Sequence, residues 1–128
     1  MKEELKKLLE NSYSPYSKFR VSSIVVTNDG NIFKGVNVEN ASFGATICAE
    51  RNAITNAITS GYTKKDFTKL YIMSDAKEGS MPCFMCRQVI NEFFLPTSEV
   101  IIMNKEGRER RFLVKDICPY PFLESDFK

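Results

Sequence analysis

Two short clusters of metal-binding residue types constrain this chain more than any other feature of its sequence. The first is Cys48-Ala49-Glu50 and the second is Pro82-Cys83-Phe84-Met85-Cys86. Three sulfurs can bind a zinc ion and leave its fourth position open for water. A glutamate two residues from the first sulfur can then move protons to and from that water. The fold must therefore bring the two clusters together, which predicts one Zn²⁺ per chain.

The absence of histidine narrows the chemistry further. Nucleophilic mechanisms that pair serine or cysteine with histidine are excluded, and so are most catalytic zinc sites, which use at least one imidazole. Proton transfer near neutral pH then needs a carboxylate, Lys, Tyr or Cys with a shifted pKa, and Glu50 is the obvious candidate. The set is typical of a zinc-dependent deaminase in which Cys48 replaces the histidine that many such enzymes use.

Length and charge limit the remaining function classes. The 128 residues predict a single domain over 1–128, and a net charge of +2 argues against a nucleic-acid partner. No apolar stretch approaches the roughly 20 residues of a membrane span, and the segment Met1–Leu5 lacks the apolar core of a signal peptide. The lack of such a stretch leads us to expect no membrane partner. Because free thiolates suit a reducing compartment, we also expect a cytoplasmic protein.

Hydrophobic patterns and turn signals predict alternating helices and strands. Leu5, Leu8 and Leu9 stand at helical spacing in a charged opening segment. Later elements are predicted as strands at 21–27 and 32–36, a helix at 46–59, a strand at 70–73, a helix from 83 that stops before Pro96, and strands at 100–103 and 112–114. The remaining tail is predicted to be irregular. This order favours an α/β fold in which helices cover both faces of a mixed sheet.

The predicted layout places both clusters at helix N-termini, each of which has roughly half a positive charge. Zinc with three thiolates has a net charge of −1, which opposes forming hydroxide on the metal. The two helix N-termini offset this excess. Arg51 and Arg87, each directly following a cluster residue, could do the same or could simply be solvated surface residues.

Two alternatives treat the Cys83-x-x-Cys86 pair differently. It could be a redox pair, or half of a structural zinc site that Cys118 closes with a fourth sulfur. The structural site leaves Glu50 without a role and takes a ligand from a lone cysteine in a proline-rich tail. A small buried thiol is the better interpretation of Cys118.

Several motifs in the same order resemble the small, homotetrameric cytidine deaminase family over nearly the whole chain. The matching stretches are Pro15-Tyr16-Ser17-Lys18-Phe19, Gly35–Ser42, Cys48-Ala49-Glu50-Arg51, Pro82-Cys83 with Cys86-Arg87-Gln88-Val89, and the tail Pro119-Tyr120-Pro121-Phe122. The resemblance implies a three-layer α/β/α sandwich with a five-stranded mixed sheet. It also implies hydrolytic deamination of cytidine and 2′-deoxycytidine, with release of ammonia, by zinc-activated water and a glutamate proton shuttle.

The resemblance assigns roles to individual positions. It implies zinc ligands at Cys48, Cys83 and Cys86, and a proton shuttle at Glu50, with Arg51 supporting a thiolate. Substrate contacts are implied at the remaining positions: Asn37 and Glu39 to the ribose 3′-hydroxyl, Phe19 against the nucleoside, Ala49 through its backbone, and Phe122 in the active site of a neighbouring subunit. The implied working unit is a homotetramer with active sites at subunit interfaces.

Other interpretations of the same residues remain open. Asn37, Glu39 and Asn40 are also ordinary loop-capping residues, and without the family Phe19 and Phe122 would be assigned to the core. A deaminase resembling blasticidin S deaminase, or a non-catalytic zinc-stabilised binding module, could share the cysteines. The chain departs from the family pattern at Ser22-Ser23-Ile24, at Phe84-Met85 and at Phe43, where many members have tyrosine.

Overall fold

The computed structural model describes residues 1–128 and contains one five-stranded mixed sheet between layers of helices. The helices are α1 Lys2–Leu9, α2 Ala49–Thr59, α3 Phe84–Phe93 and α4 Val114–Ile117. The strands are β1 Val21–Thr27, β2 Ile32–Val36, β3 Phe67–Ser74, β4 Phe94–Met103 and β5 Glu109–Leu113. They lie in the order β2-β1-β3-β4-β5, and only β3 and β4 run parallel to each other. No helix has both the length and the apolar character needed to cross a membrane.

Alternating side chains of the strands pack into two separate hydrophobic cores, one on each face of the sheet. On one face Leu5 and Leu9 of α1 pack against residues of the central strands such as Ile24. On the other face α2, α3 and α4 cover a larger core that includes Val25 and Ile72. Both faces of the sheet are therefore buried by helices, which confirms the predicted α/β/α arrangement.

Helix α2 lies unusually close to β2 because Gly35 has no side chain. A Cβ at this position would lie 2.4 Å from the carbonyl oxygen of Ala49 and 2.4 Å from the backbone nitrogen of Ala53. Two side chains of α2 also satisfy carbonyls on this edge strand: Asn52 donates to Val36 and Asn56 donates to Lys34, both at 2.8 Å. The close approach at Gly35 and the Asn52 bond fix the N-terminus of α2, where the first cysteine cluster lies, whereas Asn56 contacts β2 in the C-terminal half of the helix.

Strands β3 and β5 begin earlier than the sequence predicts, at Phe67 and Glu109, and three further boundaries differ for identifiable reasons. Helix α2 begins at Ala49 rather than near 46, because Ile47 instead forms a short antiparallel bridge with Val38. Strand β4 begins at Phe94 and passes through a proline at 96, and residues 95–98 have no partner in the ladder, so the missing N–H costs no strand pairing. Val114 begins the short helix α4, which the sequence pattern assigned to a strand.

Candidate active site

Three cysteine sulfurs meet where the N-termini of α2 and α3 converge. Cys48 is the N-cap of α2, Cys83 is the N-cap of α3, and Cys86 lies in the first turn of α3. Their Sγ atoms all lie within 4.8 Å of one another, and those of Cys48 and Cys83 are 3.8 Å apart. Tetrahedral zinc with Zn–S bonds of about 2.3 Å requires S···S separations of about 3.8 Å. The donor set and its spacing therefore fit a zinc ion, and the tertiary structure brings the two predicted clusters together.

The charge around the thiols also fits a bound cation with thiolate ligands. Arg51 places Nη2 at 3.7 Å from the Cys48 sulfur, and its buried Nε has no hydrogen-bond partner in the chain. A hydrogen bond with Cys86, aided by Arg51, lowers the pKa of Cys48 to about 5, whereas the same bond and burial raise the pKa of Cys86. A metal ion binds thiolates, so it would displace the proton that Cys86 retains.

Cys118 lies outside this thiol group. Its Sγ donates to the backbone oxygen of Arg87 at 3.3 Å, and the side chain is buried behind α3. Arg87 in turn donates to the carbonyls of Pro82 and Ile117 rather than to any sulfur. The geometry therefore leaves three thiols in the group and provides no fourth sulfur to close a structural site.

Glu50 lies in the first turn of α2, two residues beyond the first thiol, and is only 4% exposed. Burial raises the pKa of its carboxyl group to about 7. A carboxyl group with a pKa in this range can both accept and donate a proton near neutral pH. The side chain nevertheless reaches the surface through a cleft that it lines together with Cys48 and Cys83.

This cleft has a volume of about 280 Å³ and joins the thiols to a polar loop. Five of the residues that the sequence proposed for substrate or proton chemistry line it: Phe19, Asn37, Glu39, Ala49 and Glu50. The wall also includes residues that sequence reasoning did not single out: Ser17, Val21, Thr46, Ser80 and Met81. Ser17 belongs to a motif that was recognised, but nothing local in the sequence points to the others.

Asn37 closes the polar end of the cleft and is almost fully bonded within the chain. Its Oδ1 accepts from the backbone nitrogen of Val21 at 2.9 Å and from the hydroxyl of Ser12, while its Nδ2 donates to the carbonyl of Phe19 at 2.8 Å. The side chain is only 8% exposed. One amide proton remains for a ligand, and the other bonds fix the direction in which it points.

Glu39 is held just as firmly. Its Oε1 accepts from the backbone nitrogens of Tyr16 and Ser17 at 3.0 and 3.1 Å, and its Oε2 accepts from the Ser17 hydroxyl. The Ser17 hydroxyl is the main cause that lowers the pKa of this carboxyl group. Glu39 is therefore a carboxylate at neutral pH, fixed by the loop that leads to Phe19.

The two aromatic residues named from the sequence occupy different places. Phe19 lines the cleft and is 37% exposed. Phe122 lies outside the cleft of its own chain, is 59% exposed, and stacks on Phe127 with ring centroids 5.9 Å apart. Neither ring is a core residue, so the interpretation as simple core packing is wrong for both.

The three departures from the family pattern lie outside the cleft. Phe84 and Met85 are exposed, and the guanidinium of Arg87 stacks over the Phe84 ring at 4.4 Å. Phe43 is 79% exposed and packs edge-on against Tyr16 beside the mouth of the cleft. The serines of β1 are buried and satisfied by the carbonyls of Leu5 and Tyr71.

Comparison with known proteins gives a consistent result. The family model for the cytidine and deoxycytidylate deaminase zinc-binding region matches residues 1–104. The chain is 46% identical to a probable cytidine deaminase of Dictyostelium discoideum, covering 97% of this chain and 87% of that protein, and 37% identical to a cytidine deaminase of Sporosarcina psychrophila, covering 96% and 89%. The crystal structure of cytidine deaminase from Burkholderia pseudomallei superimposes with a TM-score of 0.89 at 41% identity, covering 94% of each chain. The chain belongs to the cytidine deaminase family.

Proposed function

We propose that this member of the family hydrolyses the exocyclic amine of cytidine and 2′-deoxycytidine, producing uridine or 2′-deoxyuridine and ammonia. One observation supports this most directly: a single cleft joins the three-thiol group, a buried glutamate and the polar loop that contains Asn37 and Glu39. In this proposal Cys48, Cys83 and Cys86 hold zinc. When bound, zinc lowers the pKa of water enough to supply a nucleophile at neutral pH.

Glu50 is the proposed proton shuttle. It accepts a proton from the attacking water and protonates N3 of the ring as the water oxygen adds at C4. It then accepts the proton of the hydroxyl group added at C4 and delivers it to the amine, so that the C4 carbonyl forms, the C4–N bond breaks and ammonia leaves. Its burial supports this role, because a raised pKa keeps both protonation states accessible at neutral pH. Arg51 and the two helix N-termini stabilise the thiolates beside it.

The polar loop suggests which substrates the cleft accepts. The free amide proton of Asn37 and the carboxylate of Glu39 suit a ribose 3′-hydroxyl, whereas a 3′-phosphate would be repelled by the fixed negative charge. No contact in this proposal involves the 2′ position, so ribose and deoxyribose should both bind. Phe19 provides an apolar surface for the nucleoside, and Ala49 contributes through its backbone.

We also propose that the working unit is a homotetramer with shared active sites. The tail exposes a group of apolar side chains, Phe122, Leu123 and Phe127, which are 59%, 47% and 67% exposed in the single chain. Exposed clusters of this kind usually mark an interface. In the assembly Phe122 would enter the cleft of a neighbouring copy. Four free thiols further suggest a reducing compartment, which supports a cytoplasmic location.

The decisive experiment follows the ultraviolet absorbance of cytidine with purified protein of measured zinc content. Cytidine and deoxycytidine should turn over with comparable efficiency, and cytidine 3′-monophosphate should be at least ~10-fold poorer because Glu39 repels it. A zinc-replete preparation that leaves both nucleosides unchanged would overturn the proposed activity. Equal turnover of the 3′-monophosphate would overturn the role of Glu39 alone.

A further inference from the structure

We propose that Gln88 is a positioning residue that fixes the main chain of Phe122, and with it the aromatic ring offered to a neighbouring active site. This inference rests on the proposed function, in which Phe122 serves the cleft of another copy. Gln88 itself touches neither the thiols nor the cleft. It acts through the tail.

The contact is a two-point clamp between one side-chain amide and one residue of the main chain. Gln88 Nε2 donates to the carbonyl oxygen of Phe122 at 2.8 Å, and Gln88 Oε1 accepts from the Phe122 backbone nitrogen at 3.2 Å. Both hydrogen-bonding groups of the Phe122 backbone are therefore used. Two bonds from a planar amide fix the orientation of the peptide as well as its position, as a pair of bonds between strands does.

The tail needs such a clamp because little else holds it. Tyr120 is fully exposed and has a left-handed backbone with φ of 52°, a conformation that costs a residue other than glycine energy. Pro119 and Pro121 stiffen the backbone on both sides of Tyr120, and these three residues form an arch. On its α4 side the arch is anchored by Cys118, which donates to the Arg87 carbonyl. Gln88, the next residue of α3, anchors the other side.

The clamp also fixes the position of the Phe122 ring relative to α3, the helix that carries Cys86. Gln88 lies two residues after Cys86 on α3, whose N-cap and first turn each contribute one of the three thiols. Within its own chain the Phe122 ring contacts Phe127, which is itself 67% exposed, so side-chain packing gives it little support. The backbone clamp is thus the main constraint on where the ring stands.

Gln88→Ala tests this role through a split between KM and kcat. Without the clamp, substrate binding must order the tail each time, and the entropic cost appears as weaker binding. KM for cytidine should rise about 10-fold, in line with the net value of one to two hydrogen bonds, while kcat changes less than about twofold and zinc stoichiometry is unchanged. The matched control is Asn56→Ala, which removes a side-chain bond to the Lys34 carbonyl away from the cleft and should leave KM unaltered. An unchanged KM in Gln88→Ala, or a loss of zinc, would overturn the proposal.

A second readout does not depend on activity. The chain contains no tryptophan, so Phe122→Trp supplies a unique fluorophore on the clamped residue. Adding Gln88→Ala to this variant should increase acrylamide quenching at least about twofold and lower the fluorescence anisotropy. Adding Asn56→Ala should do neither. Equal quenching with and without Gln88 would contradict the clamp, whereas failure of the wild-type protein to deaminate cytidine would contradict the proposed function and leave this measurement valid.

Discussion

The two ends of the cleft are built in opposite ways. At the thiol end, three sulfurs, a buried carboxyl group and the partnerless Nε of Arg51 converge with few bonds among them. At the other end, which is the proposed sugar end, the side chains of Asn37 and Glu39 make six hydrogen bonds to other residues, four with backbone groups and two with serine hydroxyls. One end has unused bonding capacity and the other has very little.

This difference in hydrogen bonding indicates what each end of the cleft needs from a ligand. Buried polar groups without partners are costly, so a cation that binds the three thiolates would stabilise the thiol end. The sugar end is satisfied by the protein itself, so it keeps its shape without substrate and orders the loop leading to Phe19. A substitution should therefore affect metal binding and chemistry at the first end, and folding stability at the second.

The largest expected effect is the loss of a thiol. Cys86→Ser should abolish zinc binding and activity, because two remaining sulfurs cannot define a tetrahedral site. The matched control is Cys118→Ser, whose sulfur bonds only the Arg87 carbonyl, and it should retain one zinc per chain and activity within about twofold. Metal analysis and a cytidine assay on both variants check this. Zinc loss in Cys118→Ser with retention in Cys86→Ser would reverse the assignment.

The next effect separates chemistry from metal binding at the same end. Glu50→Gln preserves size and hydrogen bonding but cannot accept a proton, so kcat should fall by at least ~10²-fold while zinc stays bound. Kinetic assay and metal analysis on one preparation provide the measurement. Near-normal turnover by zinc-replete Glu50→Gln would remove this residue from the proton transfer.

The smallest of the three effects belongs to the sugar end and concerns folding. Asn37→Ala leaves the Val21 nitrogen and the Phe19 carbonyl without partners, so the free energy of unfolding should fall by about 2–3 kcal/mol. Asn40→Ala, which removes the one bond that the exposed Asn40 side chain accepts from the Ser42 backbone nitrogen, should cost less than about 1 kcal/mol. Urea unfolding of both variants tests the contrast. Equal stabilities would mean that the loop is not preorganised by Asn37.

Much of the fold could be predicted from local sequence patterns, and the errors of that prediction have physical causes. The leucine spacing of α1 and the apolar runs of the central strands predicted elements that the structure confirms. The start of α2 was placed too early because the pairing of Ile47 with Val38 is a long-range contact that no local pattern encodes. Helix α4 was missed because four residues are too few to show a helical period.

Sequence alone determined the chemistry of the site: three thiols, one carboxylate two residues from the first thiol, no histidine, and motifs in the order of the family. Residue types and short spacings are local properties of the chain, so they can be read directly from the sequence. Only the tertiary structure decided that Cys118 lies apart from the other thiols and that most hydrogen-bonding groups of the Asn37 amide bind other residues of the protein. It also decided that Gln88 binds the backbone of Phe122, 34 positions away. These outcomes depend on how distant segments pack against the sheet, and packing is a property of the whole fold.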